Sequence, residues 1–179
     1  GYTSRKDAYS QAHKPVVEQD EAVGHAVRAV YMYSGMADVA AITGDSSYIK
    51  AIDKIWDNIV SKKIYITGGI GARHAGEAFG NNYELPNQSA YCETCAAIGN
   101  VYMNYRLFLL HGDAKYFDVL ERTLYNGLIS GVSLTEVHSS IPTRCLLTEN
   151  TAANLGSAAP AALQTSAVSF RHYRDMYMP

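Results

Sequence analysis

An internal repeat constrains this chain more than any other feature of its sequence. Residues 43–48 (TGDSSY) match residues 111–116 (HGDAKY), 68 positions further along. Apolar residues recur at steps of three and four on both sides of each turn, a pattern typical of helices. It predicts helices over 20–42, 46–61, 92–110 and 114–129. In each turn an Asp, Asp45 or Asp113, can cap the helix that follows.

Helical hairpins of this kind cannot bury their apolar faces alone, so they stack against neighbours. The connection between the two hairpins, 62–91, has a short β-like run at 64–67 with glycines directly after it. Connections of that length in compact domains usually carry function. The sequence therefore predicts an all-α fold, a partial toroid of αα-hairpins with a long glycine-rich loop bearing short β segments. Two hairpins are too few to close a ring, so we expect a fragment.

Composition excludes several classes of protein. The chain has 179 residues and a formal net charge of −2, so it lacks the basic excess of a nucleic-acid binder. No apolar run approaches the roughly 18 residues that span a bilayer, and we expect no membrane partner. Three cysteines cannot form a disulfide framework, and reduced thiols favour a cytoplasmic compartment.

Residues 91–96 (YCETCA) place two thiols and a carboxylate at the predicted start of a helix. Cys92 and Cys95 form a C-x-x-C pair with Glu93 between them. Such a group can bind zinc, but zinc normally takes four ligands. The chain offers no second C-x-x-C and no H-x-x-x-H pattern. A redox pair and plain buried cysteines therefore stay open as alternatives.

Two further glutamates, Glu77 and Glu84, lie in the glycine-rich connection. Two carboxylates near one cleft are the minimal equipment of a glycosidase, although loop carboxylates are more often simply solvated. His25 falls within the first predicted helix, where it is either structural or placed to contact a sugar hydroxyl. Glu121 lies on the last predicted helix, where a solvated charge is the ordinary interpretation.

The motifs together resemble one known family. They occur in a fixed order over about residues 8–134: 10–18 (SQAHKPVVE), 24–29 (GHAVRA), 65–71 (YITGGIG), 76–80 (GEAFG), 83–87 (YELPN), 91–96 (YCETCA) and 120–126 (LERTLYN). This combination closely resembles glycoside hydrolase family 127, the β-L-arabinofuranosidase-like group. The resemblance implies an (α/α)6-barrel catalytic domain followed by β-sandwich domains, which agrees with the internal repeat.

The resemblance also implies a mechanism and a role for each candidate residue. It implies a retaining glycosidase with a zinc-bound cysteine nucleophile, acting on an L-arabinofuranoside or a related furanoside. Glu77 would be the general acid/base, and Glu93 and Cys95 would be zinc ligands. His25 matches a sugar-contacting histidine, and Glu121 matches a glutamate on the rim of the site.

The last part of the chain, 135–179, departs from the family. The family's other two zinc ligands, one of them the nucleophile, come from a later G-C-x-C-C-P segment that this sequence lacks. Some codons that can encode 135–144, read one base earlier, spell amino acids that resemble the family's continuation. Codons for residues 156–163, read at the same offset, can spell a Cys-Cys pair. We therefore expect 1–134 to be a catalytic-domain fragment, and 135–179 to be a frameshifted, poorly ordered tail. Cys145 would then be accidental, and the chain as written inactive.

Two other classes of function compete with the enzyme fragment. One is a non-catalytic carbohydrate-binding or scaffold protein that uses the helical cleft without a thiolate. The other is a zinc or redox module built on the C-x-x-C pair. Sugar binding without turnover would favour the first, and metal or disulfide content that survives loss of Glu77 would favour the second.

Overall fold

A computed structural model describes residues 8–131, and it is built from four helices in two hairpins. The helices are α1 (Ala26–Thr43), α2 (Ser46–Lys62), α3 (Thr94–His111) and α4 (Ala114–Arg122). The segment 135–179, expected to be an out-of-frame tail, lies outside the described residues. The helical hairpins confirm the predicted all-α class.

The repeated turn has the same geometry in both hairpins. Gly44 and Gly112 end their helices in the left-handed conformation, with φ of 68° and 69°. Asp45 then accepts a hydrogen bond from the backbone N–H of Ser47 at 2.8 Å, and Asp113 accepts one from Lys115 at 3.0 Å. A left-handed residue favours glycine because it has no Cβ, which explains the Gly-Asp pair in each copy.

Helices α1 and α3 pack side by side, with α2 and α4 outside them. The apolar core fills the space between α1, α2 and α3 and includes Tyr33, Ile55 and Met103, all fully buried. Because both hairpins run in the same sense, the amino ends of α1 and α3 lie at one end of the molecule. That end also receives the long connection between the hairpins.

Two predicted helix boundaries are wrong. The first helix begins at Ala26 and not at residue 20, because residues 20–24 instead pack back onto α2. There Glu21 pairs with the buried ammonium of Lys63 at 2.8 Å, and the backbone N–H of Ala22 donates to Asn58 Oδ1 at 3.1 Å. The last helix leaves α-geometry after Arg122 and continues as a π-helix, Thr123–Leu128, and a 3-10 turn, Ile129–Gly131.

The connection between the hairpins holds no regular strand within the described residues, so the expected β-like run at 64–67 is a tight turn. The backbone N–H of Gly68 donates to the carbonyl of Tyr65 at 2.8 Å, closing that turn. Isolated bridges join Ala78 to His25 and to Arg73. The loop is also tied to α2, where the backbone N–H of Tyr83 donates to the carbonyl of Lys62 at 2.9 Å, and to the π-helix, where Thr123 Oγ1 donates to the carbonyl of Gly68 at 3.3 Å.

Over residues 8–131, no helix combines the length and apolar character that crossing a bilayer requires.

Candidate active site

His25 stands directly before α1 as its N-cap residue. Its imidazole Nδ1 accepts a hydrogen bond from the backbone N–H of Arg28 at 3.4 Å. The side chain is 14% exposed, and the ring of Tyr9 meets it edge to face. The expectation that His25 lies inside a helix is therefore wrong, because its backbone is extended, with φ of −61° and ψ of 119°, and the helix begins one residue later.

Glu77 is carried to His25 by a short turn of the connection. Its backbone is left-handed, with φ of 49°. The backbone N–H of Ala26 donates to the Glu77 carbonyl at 2.9 Å, which ties this turn to the first residue of α1. The carboxylate then lies 3.0 Å from His25, between Glu77 Oε2 and His25 Nε2.

Tyr91 completes the surroundings of the Glu77 carboxylate. Its hydroxyl donates to Glu77 Oε1 at 3.1 Å. Burial, with the hydrogen bond to Glu77 as a second cause, raises the pKa of the Tyr91 phenol, so it stays protonated at neutral pH. Sequence reasoning did not single out Tyr91, since the only signal was its place at the head of the YCETCA motif.

Glu93 and Cys95 lie at the start of α3, next to this group. Glu93 occupies the N-cap position of α3, yet its side chain forms no capping hydrogen bond with the helix. The Cys95 thiol donates to the Glu93 carboxylate, and burial is the larger reason that the pKa of Cys95 rises to about 12. Burial also raises the pKa of Glu93. Glu93 Oε2 is buried with no hydrogen-bond partner, so one strong acceptor is left open.

Negative charge is concentrated at this end of the molecule. The charge of Glu77 further raises the pKa of both Glu93 and Cys95, whereas His25 lowers that of Glu93. The amino ends of α1 and α3, which carry partial positive charge, both lie here and favour anionic groups. Carboxylates crowded in this way stay ionised only where helix ends, hydrogen-bond donors or a cation compensate their negative charge. Otherwise they take up a proton.

Zinc fits the described residues only in part. Glu93 and Cys95 are suitable donors, and the open acceptor on Glu93 suits a cation. Within residues 8–131, however, no three His, Cys, Asp or Glu side chains lie together in a way that could hold a metal ion. The described residues therefore do not form a metal site on their own.

Cys92 is separated from Cys95 by its own packing. It is 2% exposed in a small cluster with Tyr65, Ala72 and Ala90, and it forms no disulfide with Cys95. The two thiols of the C-x-x-C pair thus face different surroundings.

The remaining candidates lie away from the His25–Glu77–Tyr91 group. Glu84 is held by Arg73, whose Nε donates to Glu84 Oε1 at 2.6 Å. Glu121 is exposed near the end of α4 and forms no ion pair with a described residue. The structure brings together His25, Glu77, Glu93 and Cys95 from the predicted set, and leaves Glu121 outside their contacts.

A separate cavity of about 360 Å³ lies at the opposite end of α3. Trp56, His111 and Tyr116 line it, and none of the predicted site residues does. An 18-residue helix such as α3 is roughly 27 Å long, so this cavity is remote from Glu77.

A partly exposed carboxylate held by two hydrogen-bond donors is equipped for proton transfer. Such a group on stacked helical hairpins defines the class: a helical domain with the carboxylates of a glycoside hydrolase. The catalytic-domain profile of the GH127 β-L-arabinofuranosidases matches residues 2–162, and the chain belongs to this family. The matched range runs past Leu134, so it is longer than the resemblance that the motifs alone cover.

Known proteins of this family align over much of the chain. A non-reducing end β-L-arabinofuranosidase of Bifidobacterium longum subsp. longum is 43% identical over 129 residues, 72% of this chain and 20% of that protein. A solved GH127 β-arabinofuranosidase is 82% identical with a TM-score of 0.82, over 94% of this chain and 26% of that one. A GH127 β-L-arabinofuranosidase from Geobacillus stearothermophilus T6 is 46% identical with a TM-score of 0.77, over 79% and 22%. This chain therefore spans between a fifth and about a quarter of these relatives.

Proposed function

We propose that this chain is part of a retaining glycoside hydrolase that cleaves β-L-arabinofuranosides or closely related furanosides, with Glu77 as its acid/base. The observation that carries the proposal is the Glu77 carboxylate, which lies 3.0 Å from His25 and 3.1 Å from Tyr91. The names of the relatives supply the class of sugar.

In this mechanism Glu77 moves one proton in each step. As the enzyme's nucleophile bonds to the sugar carbon, Glu77 gives its proton to the glycosidic oxygen, and the departing group leaves as a neutral alcohol. Glu77 then takes a proton from water, whose oxygen attacks the sugar carbon and releases the enzyme's nucleophile. Glu121 would contact the sugar from the rim, and His25 would lie against the sugar beside Glu77.

Glu93 and Cys95 would hold zinc together with two ligands from the G-C-x-C-C-P segment that the 179-residue sequence lacks. Bound zinc would favour the thiolate of its cysteine ligands, opposing the effect of burial on Cys95. One of the two further ligands would be the nucleophile, so the chain as written should not turn over.

The test compares the purified 179-residue chain with a form completed by a G-C-x-C-C-P segment, using an aryl β-L-arabinofuranoside. We expect hydrolysis only by the completed form. Its Glu77→Gln variant should lose at least about 100-fold in kcat, the usual contribution of a general acid/base. The matched control is Glu84→Gln, which removes a nearby loop carboxylate and should leave kcat within a few-fold.

Three results would count against the proposal. Hydrolysis by the 179-residue chain would show that the nucleophile lies within it. Full activity of the Glu77→Gln variant would remove the acid/base assignment. Sugar binding by the completed form without any turnover would favour a carbohydrate-binding protein.

We also propose that 135–179 is read out of frame. The family match to residue 162 includes part of this segment, so it does not support the proposal, which rests on codon strings alone. Sequencing the coding DNA across the codon for Leu134 decides it. A one-base slip with a Cys-Cys pair in the restored frame is expected, and an intact frame without that pair would overturn it.

A further inference from the structure

The two ring nitrogens of His25 are both engaged within the chain. Nδ1 accepts a hydrogen bond from the backbone N–H of Arg28, and Nε2 lies 3.0 Å from Glu77 Oε2. A nitrogen that accepts a hydrogen bond carries no proton, so the proton of the neutral ring must be on Nε2. The N-cap of α1 therefore selects the tautomer in which His25 donates to Glu77.

That tautomer makes the two oxygens of Glu77 unequal. Oε2 receives the Nε2–H of His25 and is held as an acceptor. A proton on the carboxyl must then be on Oε1, the oxygen that Tyr91 contacts at 3.1 Å. A tyrosine hydroxyl can rotate between donating and accepting, so it accompanies Oε1 in both protonation states.

We propose that His25 is a positioning residue for Glu77, which fixes Oε1 as the oxygen that gives and takes the catalytic proton. This inference rests on the proposed role of Glu77 as acid/base. It assigns His25 a function in addition to the sugar contact that the family resemblance implies, because its Nε2 lies against Glu77 Oε2.

Two substitutions separate the functions of the two nitrogens. In His25→Asn the amide oxygen replaces Nδ1, so the cap is kept but nothing reaches Glu77. In His25→Gln the amide NH₂ reaches the position of Nε2, so the donor is kept while the cap is weakened. Both variants are made in the shortest form of the protein that hydrolyses an aryl β-L-arabinofuranoside, and kcat, KM and Tm are measured.

For a positioning role, His25→Asn should lose about 100-fold in kcat with little change in Tm, since misplacing a general acid forfeits most of its effect. His25→Gln should stay within about tenfold in kcat despite a lower Tm. The reverse order, an active Asn variant and an inactive Gln variant, would show that His25 only caps the helix. Equal rises in KM with unchanged kcat would show sugar contact instead.

A second measurement needs no activity and uses the 179-residue chain. Nitrogen-15 NMR of the histidine rings distinguishes the two tautomers directly. We expect His25 to carry its proton on Nε2, and to do so still in Glu77→Gln, since the cap selects the tautomer. A proton on Nδ1 would overturn the inference even if Glu77→Gln is inactive. An active Glu77→Gln variant would instead overturn the proposed function.

Discussion

Three glutamates near the connection between the hairpins differ in their surroundings, and so in what they can do. Glu84 is bound by the guanidinium of Arg73 and by a backbone N–H, which lower its pKa to about 2. Glu93 is half-buried beside a thiol, and burial raises its pKa. Glu77 lies between two hydrogen-bond donors, His25 and Tyr91. All three are glutamates in or next to the connection, so residue type alone could not show which of them can act as an acid/base.

The Arg73–Glu84 ion pair should make the stability of the chain depend on pH. Because the folded pKa of Glu84 lies below the unfolded value of about 4.3, its contribution is complete above that value. It is lost as the pH falls through about 2. The two side chains are 43% and 31% exposed, so solvent screens the pair and we expect it to contribute at most about 1 kcal/mol. Urea unfolding at pH 6 and pH 3 should show that the free energy of unfolding depends less on pH in Glu84→Gln than in the parent chain.

The control for this prediction is Glu121→Gln, which removes an exposed carboxylate that forms no ion pair with a described residue. Its stability should change with pH as in the parent chain. If Glu84→Gln and the parent also respond equally, the ion pair does not stabilise the fold. Added salt should weaken the effect of Glu84, since solvent ions screen an exposed pair.

At the scale of the helices, close approach between α1 and α3 depends on one glycine. A Cβ on Gly99 would lie 2.4 Å from Cγ2 of Val30 and 3.2 Å from the ring of Tyr31. Gly99→Ala should therefore force the helices apart and destabilise the chain by about 1–3 kcal/mol, the usual cost of overpacking. Thermal unfolding followed by circular dichroism measures this loss.

Gly35, on α1, provides the opposite case for the same substitution. A Cβ there meets no atom within 4 Å. Gly35→Ala should stabilise the chain by about 0.5–1 kcal/mol, because alanine is the better helix former. A loss of stability in both variants would mean that the packing of α1 on α3 is not what makes Gly99 necessary.

A chain of buried amides links α2 to α3. The indole N–H of Trp56 donates to Asn104 Oδ1 at 2.7 Å, and Asn104 Nδ2 donates to the carbonyl of Asn100 at 2.8 Å. Asn104→Leu leaves the Trp56 donor buried without a partner, which should cost about 1–3 kcal/mol. Urea unfolding of Asn104→Leu, Trp56→Phe and the double variant measures the coupling.

The double variant is the decisive arm of that experiment. Once Trp56 is replaced, no indole donor remains to be left unsatisfied. The losses of stability in the two single variants should therefore sum to more than the loss of stability in the double variant. Simple additivity would mean that the hydrogen bond contributes nothing beyond the packing of the two side chains.

Helical periodicity and the Gly-Asp turns predicted the four helices, because those signals are local. The start of α1 was missed because a histidine is not among the usual N-cap residues, and because residues 20–24 are fixed by distant contacts to Asn58 and Lys63. The π-helix after Arg122 was missed for the same reason. There Thr123 Oγ1 lies 3.3 Å from the carbonyl of Gly68, 55 residues away.

At the scale of the whole molecule, the candidate site is assembled from three separate parts of the chain. His25 comes from the start of α1, Glu77 from the connection and Glu93 from the start of α3. The motifs that resemble GH127 identified these residues, since family likeness records long-range contacts that periodicity cannot show. Tyr91 needed coordinates, because only its hydrogen bond to Glu77 marks it.

In the proposed enzyme Glu93 and Cys95 are two of four zinc donors, and this limits how the described part of the chain can bind metal. A complete four-ligand site contributes about 10–16 kcal/mol, and half of the donors should give only weak binding. Competition with a chromogenic zinc chelator should show that the 179-residue chain loses zinc readily, and that Cys95→Ser binds still less. Cys92→Ala is the matched control and should bind like the parent, because that thiol is buried in a separate cluster. Tight zinc binding by this chain would mean that it holds further ligands, and loss of binding in Cys92→Ala would make Cys92 one of them.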